Sequence, residues 1–357
     1  MDRFGIRPVV LAALVLMIVG STLTATLSAP WQLVVGWGLL VGLGSGAMAL
    51  TFGAVVTERW FRTRRGLVSG VLTSSSMVGG MVLMPLLAWI MHHHGWRAGI
   101  VAVGGASLVL LPLAALVLRD HPASIGIRPH GATEFVPAPA RSGRSLRRAF
   151  AILRRALVRR SFWLLALTFG VCGASTNGIM MTHFVPAAAE SGMAPVAATS
   201  VLATMGVFNV VGAAGSGWLT DRARPELLLV VHYLARAATL LVLPPLLGPH
   251  IGTPIVAFAV VYGLLDLATV PPTIALCRTH FGPLDGPIVF GWISGVHAIG
   301  AAAAAYLGNV GRDAVESYDP VWYGAGVLCI VAAGLATRLS GRTERDDGRR
   351  APSCAEV

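Results

Sequence analysis

Apolar residues run along this chain in long unbroken blocks, without the two- or 3.6-residue alternation of half-buried soluble elements. Blocks at about 8–28, 33–57, 66–91, 98–118, 161–186, 195–219, 226–247, 252–276, 285–308 and 320–338 approach or exceed the roughly 20 residues that cross a bilayer as a helix. The pattern predicts an all-α, polytopic membrane protein with ten transmembrane helices. The first block does not read as a cleavable signal, because it is long, lacks a cleavage site and is followed at once by further spans.

Polar residues divide the blocks. Residues 1–118 hold four spans and 161–340 hold six. Between them, 119–160 is rich in Arg and contains Pro122, Pro129, Pro137 and Pro139. Residues 341–357 are polar and read as a disordered tail. Within the linker, Leu146, Phe150, Leu153 and Leu157 recur at helical spacing among arginines. This predicts a basic amphipathic helix, resting on the anionic inner leaflet or crossing water as a connector.

Charge bears on the partner. Charged residues make up 12% of the chain, against about a quarter in soluble domains. The net charge is +11 and every basic residue is Arg. With residue 1 in the cytoplasm, 24 arginines fall in inner loops and tail, two (Arg97 and Arg312) fall outside, and Arg236 falls within a span. That is the asymmetry that orients membrane proteins, and it argues against nucleic-acid binding. It predicts a multi-pass protein of the cell inner membrane with both termini cytoplasmic. Cys172, Cys277, Cys329 and Cys354 have neither disulfide nor metal spacing. His92-His93-His94 reads as solvent-facing, and no P-loop, HExxH or Ser-His-Asp arrangement is present. No cofactor, metal or enzymatic activity is expected.

The halves repeat. Asp2 and Asp221 are 219 positions apart, as are Arg59 and Arg278. The second half has two spans before its Asp-Arg turn whose counterparts would precede residue 1, so the chain is expected to begin inside its first half. Asp2-Arg3-Phe4-Gly5-Ile6-Arg7 resembles the cytoplasmic loop between helices 2 and 3 of the major facilitator superfamily. Gly217 to Arg222 resembles the weaker copy between helices 8 and 9. Gly42-x-Gly44-x-Gly46-Ala47 is similar to the helix 4 pattern, with Gly38 where an Arg often stands. Trp60-Phe61-x-x-Arg64-Arg65-Gly66 with Gly70, Gly95-Trp96-Arg97 and Ile125-Gly126-Ile127-x-Pro129-x-Gly131 resemble the oxalate/formate antiporter and monocarboxylate branch.

The resemblance implies that the spans are helices 3–12, with helices 4, 7 and 10 lining a cavity about which two halves rock. It implies an inner gate built from Asp2, Arg3, Gly5, Arg7, Gly217, Asp221 and Arg222, joined by Glu58 and Arg59. The monocarboxylate pattern carries its key Arg in helix 8. Here helix 8 has Asn209 and no Arg before Arg222.

Ionisable residues at membrane depth are expensive and mark pathways or buried pairs. Asp266 is the leading candidate for a proton site, or else a structural pair. Arg236 either pairs with Asp266, attracts an anionic substrate, or snorkels. Asn177 is a candidate substrate contact or helix-to-helix hydrogen bond, beside the adaptable Met180, Met181 and Thr182. His183, near the outer end of helix 7, and His297 on helix 11 are candidate titrating groups or ordinary interface and core histidines. Pro271-Pro272 is a candidate hinge or a plain helix distortion. The expected function is secondary active transport of a small organic anion, monocarboxylate- or dicarboxylate-like, by proton coupling or exchange. The partners expected are that substrate, protons and the lipid bilayer, around a monomer. The alternatives are a drug or metabolite efflux antiporter, and a non-transporting fragment, sensor or partner subunit.

Overall fold

The computed structural model describes residues 5–48, 50–63, 95–132, 134, 135, 137 and 145–339, with separate positions between 68 and 94. The described residues are helical apart from short connections, and their one β-bridge is Phe61 with His130. The helices are α1 (Ile6–Ala25), α2 (Pro30–Met48), α3 (Leu50–Trp60), α4 (Trp96–Val117), α5 (Ser145–Leu157), α6 (Arg160–Glu190), α7 (Pro195–Thr220), α8 (Pro225–Val242), α9 (Thr253–Asp266), α10 (Val270–Val315) and α11 (Asp319–Ala336). Among the described residues, eight helical stretches are long and apolar enough to cross a bilayer. Thr253–Val315 is one of these, at 63 residues about three times the length a crossing needs. It is interrupted at Leu267–Thr269 and turns again at Gly282, whose φ of 84° suits a residue without Cβ. The expected span at 66–91 lies mostly outside the described residues.

The chain forms two compact units, Met1–Arg148 and Ala149–Val357. In the first, Ile6, Val10 and Leu14 of α1 pack with Phe52 and Val56 of α3 and with Leu111 and Ala114 of α4. Apolar side chains gain little from leaving lipid, so close backbone approach matters more than in water. Gly44 supplies it, with its α-carbon against the Ala13 carbonyl and Met17. Arg97 donates to the carbonyls of Ala25 and Leu27, both at 3.3 Å, closing the carboxyl end of α1.

In the second unit α6 packs on α10, α7 on α9 and α8 on α11. Small residues again mark the crossings. A Cβ on Gly212 of α7 would overlap the Leu264 backbone of α9, and one on Gly263 would overlap Met205. Gly173 of α6 lies against the His297 backbone of α10. Two spans contain wide π-helical turns, Val34–Val41 in α2 and Ala174–Met180 in α6.

Candidate functional site

The interruption after Asp266 raises a problem of hydrogen bonding. A helix end exposes carbonyls and a helix start exposes N–H groups, and at membrane depth both need protein partners. Arg236 of α8, fully buried, places Nη2 2.6 Å from the Leu265 carbonyl and 2.5 Å from that of Asp266. It thereby caps the carboxyl end of α9. Asn209 of α7 serves both sides of the break. Its Nδ2 donates to Asp266 Oδ2 at 2.6 Å, and its Oδ1 accepts from the Leu267 N–H at 3.0 Å. Ser216 donates to the Ala268 carbonyl. Pro271 and Pro272 then occupy the second and third positions of the resumed helix. They bring no N–H, so two donors that would be orphaned there do not exist. The break thus precedes the prolines.

Around this point the second unit has a polar centre. Arg236 Nη1 lies 3.4 Å from both Cys172 Sγ and Ser175 Oγ on α6. Cys172 Sγ is 3.1 Å from Thr269 Oγ1. Tyr262 donates to the Ser175 carbonyl at 3.0 Å and Tyr233 to that of Thr168 at 2.6 Å. Asp266 is 2% exposed, and its Oδ1 has no hydrogen-bond partner among the described residues; nor has Arg236 Nε. Arg236 therefore bonds the backbone of α9, while the Asp266 carboxylate takes the Asn209 amide. His297 is buried with its ring 4.7 Å from that of Phe169.

Two further candidates, Asn177 and His183, lie on α6. Asn177 is the one exposed residue of the wide turn Ala174–Met180, and its carbonyl accepts from Thr182 Oγ1 at 3.0 Å. His183 is buried, with Nε2 3.1 Å from the Ala305 carbonyl and its imidazole filling the space left by Gly308. Glu190 Oε1 binds Arg312 at 3.0 Å (Nε) and 2.7 Å (Nη2), joining the carboxyl ends of α6 and α10.

Asp2 and Arg3 lie outside the described residues, as does the Glu58 side chain. Gly5, at φ 91°, leaves room for the Asp120 carboxylate, whose Oδ1 accepts from the Arg7 N–H at 2.9 Å. Arg59 Nη1 donates to the Asp120 carbonyl at 3.2 Å. The following segment turns back on α3: Arg62 N–H donates to the His130 carbonyl at 2.9 Å, and His130 N–H to the Trp60 carbonyl at 2.8 Å. Asp120, His121 and His130 were not among the sequence candidates. The only local trace was the Ile125–Gly131 motif. In the second unit Gly217 is buried, Asp221 is exposed, and Arg222 stacks over Trp218 at 4.2 Å while donating to its carbonyl.

Burial, reinforced by Arg59 and Arg62, lowers the pKa of His121. The fold therefore favours neutral imidazole, whose Nδ1 accepts from the Ala123 N–H at 3.2 Å. With the folded pKa below the unfolded value of about 6.5, acidification protonates the unfolded state more readily and weakens the structure around His121. His121→Asn, which keeps an acceptor at that cap, is expected to flatten the loss of thermal stability between neutral pH and pH ~5. An unchanged profile would assign the acid sensitivity elsewhere.

The Major Facilitator Superfamily profile matches residues 1–305. The chain belongs to the major facilitator superfamily. It is 26% identical to the cattle (Bos taurus) Monocarboxylate transporter 13 over 342 residues, covering 94% of this chain and 74% of that protein. It is 29% identical to the mouse (Mus musculus) Monocarboxylate transporter 11 over 312 residues, covering 85% and 62%. Among solved structures, the E. coli fucose:proton symporter FucP superposes with a TM-score of 0.65 at 16% identity, covering 95% of this chain and 85% of that one. Its outward conformation gives 0.66 at 17%, covering 95% and 84%. Together with the apolar helices, this makes the protein a multi-pass membrane transporter of a small molecule.

Proposed function

We propose that this transporter moves a small organic anion by alternating access, with Asp266 binding and releasing the coupled proton. The observation that carries the reading is Asp266 itself: a carboxylate buried at a broken helix, one oxygen held by Asn209 and the other without a partner among the described residues. A carboxyl so placed is suited to taking a proton when water reaches it and to holding it when water is excluded. The monocarboxylate names of the relatives support the anionic substrate. Asn177 and His297 are proposed as cavity contacts. Arg236, committed to the α9 terminus, is proposed as a structural group and not as the substrate's counter-charge.

The proposed topology has ten spans, counting 66–91 and dividing Thr253–Val315 at Gly282. Both termini are placed in the cytoplasm and the protein in the inner membrane, as the arginine asymmetry favours. The working unit is a monomer whose inner gate uses Asp2, Arg3, Gly5, Arg7, Glu58 and Arg59 in one half and Gly217, Asp221 and Arg222 in the other.

The test is uptake into proteoliposomes. Asp266→Asn is expected to abolish accumulation driven by a pH gradient while retaining exchange of substrate for substrate. Uptake should be inhibited by small carboxylates and not by hydrophobic cations. PH-driven uptake that survives in Asp266→Asn would remove the proton role, and inhibition by cations alone would favour efflux of drugs or metabolites.

A further inference from the structure

The linker helix α5 has a buried apolar face and, on another side, an exposed one. Ile152 and Ala156 are 4% and 1% exposed. Trp292 Nε1 donates to the Ala149 carbonyl at 3.3 Å, and Arg159 donates to the His280 carbonyl at 3.0 Å. These contacts hold α5 on the inner ends of the spans. On another side, Phe150 and Leu157, seven residues apart and so nearly in line, are 60% and 39% exposed, and Val158 beyond the helix is 85% exposed. One edge of the Phe150 ring meets Trp292, with centroids 5.3 Å apart, and the rest is open. Beside this stripe, also seven apart, stand the exposed Arg147 and Arg154, with Arg155 farther round. Residues 145–160 contain six arginines and no Asp or Glu.

The level of this face is set by its neighbour. The spanning helix α6 starts at Arg160, two residues after Val158. Trp163 in its first turn is 50% exposed, and its indole N–H reaches back to the Leu157 carbonyl at 2.8 Å. Tryptophan with a polar end engaged and a ring turned outward belongs at the boundary between headgroups and chains. An apolar stripe at that boundary is matched by acyl chains, and flanking guanidinium groups are matched by phosphate.

We propose that the outward face of α5 is a binding surface for anionic phospholipid, with Phe150, Leu157 and Val158 against the chains and Arg147, Arg154 and Arg155 on the headgroup phosphates. The leaflet named, the cytoplasmic one, rests on the topology proposed above.

Hydrogen exchange of the full-length protein in nanodiscs tests the surface without requiring transport or a known orientation. In wild type, amides of 145–157 are expected to exchange about tenfold more slowly in phosphatidylglycerol than in phosphatidylcholine. Arg147→Gln, Arg154→Gln and Arg155→Gln together should erase the difference while leaving the exchange of α8 unchanged, which shows that the variant is folded. Equal rates in the two lipids would overturn the proposal, leaving protein contacts alone to hold the helix. So would slowing by inorganic phosphate in phosphatidylcholine, which would mean a generic anion, or slowing that persists in the triple variant. Protease access to the linker in sealed vesicles tests its side separately, so failure of the topology is distinguishable from failure of the surface.

Discussion

Arg236→Met is expected to destabilise the protein by about 3–5 kcal/mol, the range for removing one partner of a buried charged network. Arg236 is fully buried and holds the last two carbonyls of α9. Met fills similar volume but donates nothing, so both carbonyls and the Asp266 carboxylate lose their buried positive partner. Water cannot replace it without entering the middle of the unit. Arg236→Lys should recover only part of the loss, because an ammonium is a point charge and cannot span the α9 terminus and the α6 contacts at once. Thermal unfolding of detergent-purified protein measures the order expected: wild type, then Lys, then Met. A Met variant as stable as the parent would mean that the carbonyls find other donors, and that Arg236 has some purpose other than capping.

Gly212→Val is expected to leave little correctly assembled protein in the membrane. The Cβ would overlap the carbonyl and α-carbon of Leu264, which are backbone atoms of α9 and cannot rotate aside. Separating α7 from α9 would also withdraw Asn209, one turn away, from Asp266 and the Leu267 N–H. Gly212→Ala meets the same backbone with one carbon, and a cost of about 1–3 kcal/mol is expected. A fluorescent fusion analysed by size-exclusion chromatography reports both. A monodisperse Val variant at wild-type yield would show that the crossing is looser than its geometry implies.

How far the sequence could be read followed the range of the interactions. Apolar blocks and arginine asymmetry are properties of single segments, and they were enough for an all-helical multi-pass protein. The break in Thr253–Val315 was less accessible. Proline is the visible breaker, so the sequence points to Pro271-Pro272, whereas the chain leaves the helix at Leu267. It does so because α7 and α8 supply Asn209, Ser216 and Arg236 to receive the freed backbone groups. Arg236 looked like a snorkelling or pairing residue because nothing in its own helix shows which carbonyls it will meet. Asp120 was missed for the same reason: its partner Arg7 is 113 positions away. His183 near a helix end suggested the membrane boundary, but a small residue at position 308 on another helix gives it a buried berth. The wide turns carry no sequence mark, since π-helical hydrogen bonding has no strong residue preference of its own.

One such turn bears on how this chain tolerates insertion and deletion. A π-helical turn amounts to one residue more than an α-helix would use over the same rise. Were α6 to close into regular α-helix with every residue kept, the part beyond Ala174–Met180 would swing by about 100° relative to the part before. The first half would still meet Phe290 and His297 through Phe169 and Gly173. The second half would turn His183 away from Ala305 and Glu190 away from Arg312. Deleting one residue within the turn, by contrast, should let the helix regularise with both sets of contacts still in phase. The wide turn is therefore a phase correction: it absorbs one surplus residue, so that a single rod keeps two sets of appointments with α10.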